Sequence, residues 1–213
     1  MADKNFSVEL LWVTPDAEKI VLYTARVSSD NRESEDTKLI GYLIRHKHFS
    51  PFELANLCLE ITASRAIIRQ ILRHRSFNFQ EFSQRYAHVK MSDFITNNSR
   101  RQDEKNRQNS IDDLPVEIKN EWKERQENLN KLIHENYQWA ISNSVAKESA
   151  RAILPEGNTL STLCMNGTLR SWIHFLQLRS GNGTQKEHQD IAKECLRIFK
   201  EQFPIISKAA FPE

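Results

Sequence analysis

Apolar positions along this chain change period several times, and each change marks an element. Phe6 to Val13 is dense in apolar and β-branched residues and reads as a first strand. Asp16–Val27 and Thr37–His46 carry apolar residues at helical spacing, with Leu39, Tyr42 and Leu43 on one face of the second. Ser50-Pro51-Phe52-Glu53 has the serine-to-glutamate spacing of a capping box, with proline at the first helical position. Leu57 to Thr62 alternates as a strand with Leu57, Leu59 and Ile61 on one side. A helix follows over about Ser64–His74, with Ile67, Ile68, Ile71 and Leu72 facing a core.

Periodicity lapses from Met91 to Asp113, where Arg100–Asn109 contains no apolar residue; the stretch reads as a flexible connector or a substrate-covering loop. Asp113 and Pro115 then start a long helix to about Ile141, with Ile118, Trp122, Leu129, Ile133, Tyr137 and Ala140 as one stripe of core or subunit-packing residues. Val145–Leu154 reads as a helix stopped by Pro155, and Thr159–Met165 as a strand. Thr168 is placed to cap a helix to Arg179, Ser180–Gly183 reads as a turn, and Glu187–Phe203 as a closing helix. Strands mixed among many helices argue an α+β fold, a single domain over 1–213 with a mixed sheet and one long helix.

Composition adds limits. Hydrophobic residues make up 39% and charged residues 27%, as in ordinary globular proteins, and the net charge is only +2. Any concentration of cations is therefore local, and a general nucleic-acid coat is not expected. There is no membrane-length apolar run, residues 1–5 do not read as a signal peptide, and Cys58, Cys164 and Cys195 are unevenly spaced; a reduced cytoplasmic protein is expected. With five glycines the chain has no glycine-rich phosphate loop, and no cluster of ligating residues predicts a metal. None of the cysteines has a cationic neighbourhood, so all three read as core.

What remains is arginine. Arg65, Arg69 and Arg73 recur at every fourth position, which on a helix lines up guanidinium groups suited to phosphate. Beyond Arg73-His74-Arg75, the positions Glu81, Ser83 and Arg85 alternate among Phe77, Phe79 and Phe82, an arrangement expected of an extended binding loop. A module that grips a phosphate backbone and stacks bases on Phe77 and Phe79 is the competing reading. Arg151 and Arg179, taken alone, are helix-terminal ion-pair candidates.

Arg73-His74-Arg75, followed after seven residues by Ser83, resembles the signature of the flavin-dependent (alternative) thymidylate synthases. His48-Phe49-Ser50-Pro51-Phe52-Glu53, Arg69-Gln70, Ala150-Arg151 with Leu154-Pro155, and Phe175-Leu176 with Leu178-Arg179 are similar to further family segments, in the same order. The resemblance runs from Ala25-Arg26-Val27-Ser28 to the last helix. It implies methylation of dUMP to dTMP, with methylenetetrahydrofolate giving the carbon, FAD the hydride and NADPH the electrons, and with no protein nucleophile. It implies a homotetramer whose active sites are shared between subunits. Carried over, Ser50, Arg73, His74, Arg75, Glu81, Thr168, Arg170 and His174 would contact FAD. Gln70, Arg73, Glu81, Ser83, Gln84, Arg85, Arg151 and Arg179 would hold dUMP, with Arg85 on the phosphate and Arg179 activating the uracil. Gln80 and Gln84 depart from the asparagine and glycine of many relatives, Thr168 and His174 stand in place of asparagines, and Gly183 in place of a histidine.

Overall fold

The computed structural model describes residues 5–181 and 183–212. A four-stranded sheet has the order β1-β2-β6-β3, formed by β1 (Ser7–Val13), β2 (Asn56–Ser64), β6 (Leu160–Thr168) and β3 (Asn78–Glu81). The helices are α1 (Ala17–Ala25), α2 (Lys38–Arg45), α3 (Arg65–Ile71), α4 (Val116–Ser142), α5 (Lys147–Ala150), α6 (Leu169–Arg179), α7 (Lys186–Gln202) and α8 (Pro204–Ala210). The α+β expectation holds. The chain forms two compact units: one takes the residues up to Ser7, Thr62–Arg73 and Gln80–Leu163, the other Val8–Ile61, His74–Phe79 and Cys164 onward.

In the first unit, α3 starts where Arg65 N–H and Ala66 N–H donate to the carbonyls of Thr159 and Glu156 at 2.8 and 2.9 Å. Ile67, Ile68 and Ile71 are buried as expected, but α3 ends at Ile71, so Arg73 lies outside the helix. The stretch 91–113 is not a plain connector. It contains a 3-10 turn at Met91–Asp93, a bridge from Phe94 to Thr159, and an antiparallel hairpin of β4 (Arg101–Gln102) with β5 (Ser110–Ile111). Inside this hairpin the Gln102 side-chain amide donates to backbone carbonyls including those of Asp103 and Asn109, both at 3.1 Å.

The long helix α4 separates the stripe expected for it into two faces. Tyr137 is buried with Val89, Ala150 and Leu154, and Ile133, Ala140 and Ile141 pack against that cluster. Ile118, Trp122 and Leu129 are exposed instead. Amides set this rotation. Gln126 exchanges hydrogen bonds with the Asn97 backbone at 2.8 and 2.9 Å, and Asn130 donates to the Ile95 carbonyl at 2.9 Å while accepting from Asn158 at 3.2 Å. Burying two amides is tolerated only when they are bonded, and these partners exist at one rotation of the helix.

In the second unit an aromatic core forms under α6. The Trp172 indole N–H donates to the Leu57 carbonyl at 2.8 Å, and the Phe77 ring meets Trp172 edge-on at 5.0 Å. A Cβ on Gly167 would lie 2.4 Å from the Phe77 ring, so only glycine admits it there. Thr168 caps α6 as expected, accepting from Ser171 N–H at 3.3 Å. Gly183, at φ 92°, occupies the left-handed region, as its place in the expected turn requires; Asn182 of that turn lies outside the described residues. Pro204 restarts the chain as α8, beyond the closing helix expected to end at Phe203; the Glu18 carboxylate accepts from the Ile205 and Ile206 N–H groups at its start, both 2.8 Å. The capping box at Ser50 is not realised. Ser50–Leu54 is a 3-10 helix whose N-cap is Phe49, with no side-chain cap.

Two stability measurements follow from this packing. Gly167→Ala should cost about 1–3 kcal/mol in chemical denaturation, because Phe77 must shift; an unchanged midpoint would mean the ring is not confined. His188, fully buried in α7, has its pKa lowered to about 4 by burial, with the charges of Arg179 and His74 adding to it. The unfolded chain takes a proton near 6.5, so His188 costs no stability above that pH and costs progressively more as pH falls towards 4, on the order of 3 kcal/mol in full. His188→Gln should flatten this part of the stability profile between pH 6.5 and 4; an identical profile would contradict the assignment.

Candidate functional site

The arginines expected to share one helical stripe do different work. In the first unit Arg65 is largely enclosed, its Nη1 3.2 Å from Glu81 Oε1, and Ser161 Oγ donates to the same oxygen at 2.9 Å. Arg69 pairs with Glu156 at 3.2 Å. With Arg73 beyond α3, no continuous cationic stripe exists: Glu81 draws Arg65 inward, while Arg69 stays more than half exposed in its pair with Glu156. The structure thereby supplies Glu81 with two partners that sequence reasoning missed. Arg65 was visible there as one of a series, whereas Ser161 carried no signal.

Strand β3 ends at Glu81, and the chain turns at Ser83, whose carbonyl accepts from the Tyr86 N–H at 3.1 Å. The alternation of Glu81, Ser83 and Arg85 is therefore not a single extended loop. Ser83 Oγ accepts from Arg85 N–H at 3.3 Å, while the Arg85 guanidinium reaches Glu148 at 3.1 Å with both side chains more than half exposed. A pair so exposed is weakly held and exchangeable. Gln84 is buried at 4% exposure, and its Nε2 has no hydrogen-bond partner among the described residues. Gln70 lies in α3, and Arg151 opens a 3-10 turn (Arg151–Ile153) directly after α5.

The second unit gathers two groups. In one, Glu53 accepts from Thr168 Oγ1 at 2.8 Å and from Arg170 Nη1 at 2.6 Å. Burial works against ionisation of Glu53, but these hydrogen bonds and the charge of Arg170 prevail and hold its carboxyl below the usual range. Glu53 thus organises two expected cofactor residues, Thr168 and Arg170; its spacing from Ser50 had pointed to a helix cap instead. Ser50 itself is exposed at the start of the same 3-10 helix.

In the other group, Arg179 Nε donates to His74 Nε2 at 2.9 Å. His74 meets Phe175 edge-on at 4.9 Å, and Phe175 also faces His188, ring centres 5.9 Å apart. Burial, then the charges of Arg179 and His174, lower the His74 pKa to about 4, so the imidazole is neutral at physiological pH. A neutral ring accepting at Nε2 carries its proton on Nδ1. Arg179 is consequently oriented by a group that leaves its charge uncancelled. His174 is exposed on α6, one turn after Arg170, and Arg75 is exposed beside His74.

The competing base-stacking reading loses its platform. Phe77 is 6% exposed and belongs to the Trp172–Phe175 core. Thiol chemistry is also disfavoured. Burial raises the pKa of Cys58 and Cys195, and burial with the nearby Glu60 raises that of Cys164, which is only partly enclosed. Among the described residues no group of three or more histidines, cysteines or carboxylates could hold a metal, and no helix is long and apolar enough to cross a membrane. A cleft of about 930 Å³ in the first unit, lined by Phe94, Asn98, Lys119 and Lys123 among others, includes none of the expected site residues. Its Lys119 and Lys123 are paired with Asp112 and Glu127.

The family described as "Thymidylate synthase complementing protein" matches residues 9–205. The chain is 49% identical over 196 residues to a probable flavin-dependent thymidylate synthase of Paramecium bursaria Chlorella virus 1, covering 91% of this chain and 90% of the relative. It is 46% identical over 193 residues to the flavin-dependent thymidylate synthase of a Synechocystis strain, covering 90% and 88%. The fold is that of the UMP/dUMP methylase PolB of Streptomyces cacaoi, solved with 5-Br dUMP: TM-score 0.82 at 23% identity, over 97% of this chain and 94% of that one. The arginine-rich signature, the fold and these relatives converge: the chain belongs to the thymidylate synthase complementing protein family, that of the flavin-dependent thymidylate synthases, and is an enzyme.

Proposed function

We propose that this enzyme methylates dUMP to dTMP, taking the carbon from methylenetetrahydrofolate and the hydride from FAD reduced by NADPH, without a protein nucleophile. The whole chain acts as one catalytic domain, in a cytoplasmic homotetramer that shares its active sites between subunits. The observation that carries this reading is the Arg179–His74 contact at 2.9 Å. A guanidinium held through Nε by a neutral imidazole keeps both Nη groups for a planar two-point contact, which matches the edge of a uracil ring. Its full positive charge favours the ring deprotonated at N3 and so raises the electron density at C5.

The remaining assignments draw on the same chemistry. Arg85 would take the dUMP phosphate, whose greater charge displaces Glu148 from an exposed pair. Gln84 Nε2, a buried donor with no partner among the described residues, fits a pyrimidine carbonyl or phosphate oxygen. Gln70, Arg73, Glu81, Ser83 and Arg151 complete the nucleotide set. FAD fits the cationic and hydroxylic donors Ser50, Arg73, His74, Arg75, Thr168, Arg170 and His174, together with Glu81, and when bound supplies hydride that no side chain can. Three thiols with raised pKa values agree with the absence of a covalent step on the protein.

Flavin-loaded protein should form dTMP only when dUMP, methylenetetrahydrofolate and NADPH are all present; turnover with any one of these omitted, or by protein stripped of its flavin, would refute the proposed reaction. Arg179→Ala should keep bound flavin yet lose at least about 100-fold in kcat, the scale for removing a charge-stabilising donor. Arg85→Ala should instead raise the dUMP KM by about 10-fold or more, as expected for a lost charged contact, at unchanged flavin content. Equal loss of flavin in both variants would break the division of roles between these arginines.

A further inference from the structure

Glu81 is gripped by two side chains to which the proposed reaction gives no part. Arg65 opens α3, where its own N–H and that of Ala66 are fixed by the carbonyls of Thr159 and Glu156. The Arg65 side chain is 11% exposed and sits between two carboxylates. Its Nη1 lies 3.2 Å from Glu81 Oε1, and its Nε 4.0 Å from Glu156 Oε1, which Arg69 also reaches at 3.2 Å. Among the described residues Nη1 has no aligned hydrogen-bond acceptor, so its hold on Glu81 is through charge. Ser161, buried in β6, donates to the same Oε1 at 2.9 Å. Glu81 Oε2 accepts no hydrogen bond among the described residues, on a side chain that is 18% exposed.

We propose that Arg65 and Ser161 are positioning residues that act through Glu81, keeping it ionised and presenting Oε2 to a ligand hydroxyl. An enclosed carboxyl tends to take up a proton, and a nearby guanidinium opposes that. Once ionised it offers acceptors only, so the ligand group that it suits is a hydrogen-bond donor without charge. Serine sets the direction: its hydroxyl and the guanidinium both end on Oε1, which leaves the other oxygen to the ligand. As a staple between α3 and β3 alone, an enclosed ion pair adds little over apolar residues of the same volume. The inference rests on the proposed role of Glu81 as a ligand contact. The deoxyribose of dUMP and the ribityl chain of FAD both carry hydroxyls of the required kind. Gln70, on the helix that Arg65 opens, and Ser83 and Arg85, just beyond Glu81, lie in the same compact unit and belong to the nucleotide set.

The test is a double-mutant cycle on the intact protein, reading dUMP affinity by titration calorimetry and flavin retention by absorbance. Arg65→Met should weaken dUMP about 10-fold, the scale of one hydrogen bond to a charged group, and Ser161→Ala should weaken it less. Arg65→Lys should restore affinity, because the contact needs charge rather than a fork. In a Glu81→Gln background Arg65→Met should weaken dUMP no further, since its effect passes through the carboxylate. If flavin retention falls instead, with the same rescue and the same dependence on Glu81, the hydroxyl belongs to the flavin and the positioning role stands. Losses that add to that of Glu81→Gln, losses that Arg65→Lys leaves unrescued, or no change in either ligand overturn it. Should Arg65→Met fail to fold, Ser161→Ala with and without Glu81→Gln decides by the same additivity. Wild-type protein that bound no dUMP would sink the reaction itself, and flavin retention would still decide on Arg65.

Discussion

The ring of Phe77 lies against the bare α-carbon of Gly167, and the course of the His74-to-Phe79 segment depends on that contact. Trp172 and Phe175 close around the same ring, and Ser171 Oγ donates to the Ser76 carbonyl at 3.1 Å. The three consecutive polar or charged residues His74 to Ser76 could not order themselves by burial. One aromatic anchor does it for them, at the cost of a glycine in β6. The cationic segment is therefore held by core packing, and its charges remain available for ligands.

The arginines divide by the kind of partner they find. Carboxylates hold Arg65, Arg69, Arg85 and Arg170, through Glu81, Glu156, Glu148 and Glu53. Arg179 is held by His74, a neutral base. An ion pair fixes geometry while cancelling the field, whereas a neutral acceptor fixes geometry and leaves the field intact. That difference separates guanidiniums whose field is offset by a carboxylate from one whose field is left intact, the basis of the role proposed for Arg179. The contact also requires His74 to be uncharged: an imidazolium could not accept from Arg179 and would repel it.

Helix α4 shows how polar residues decide the orientation of an amphipathic element. Read as hydrophobic periodicity, Ile118, Trp122, Leu129, Ile133 and Tyr137 belong to a single stripe. Gln126 and Asn130 have backbone partners at Ile95 and Asn97 that no apolar residue could replace, and they turn the helix so that the stripe divides. Its C-terminal half faces the core, and its N-terminal half joins Leu132 and Trp139 on the outside.

The α+β class, the longer helices and strands and the strings of the signature were legible in the linear chain, whereas β3, the β4–β5 hairpin and α8 were not. Period, capping and breaker residues act over a few positions, and the family's motifs are local strings. Glycine at 183 and the Thr168 cap belong to this group. Partnership was not legible. Glu53 with Arg170, Ser161 with Glu81, and His188 behind Phe175 join residues far apart in sequence, and nothing in their spacing announces them. The stripe of Arg65, Arg69 and Arg73 failed for the same reason: a helix pattern says which side chains share a face, but distant carboxylates decide where those side chains go. Short-range sterics and hydrophobic period were set by the sequence itself. Charge state and orientation at the site were decided only when the fold brought buried rings, carboxylates and guanidiniums within hydrogen-bonding distance.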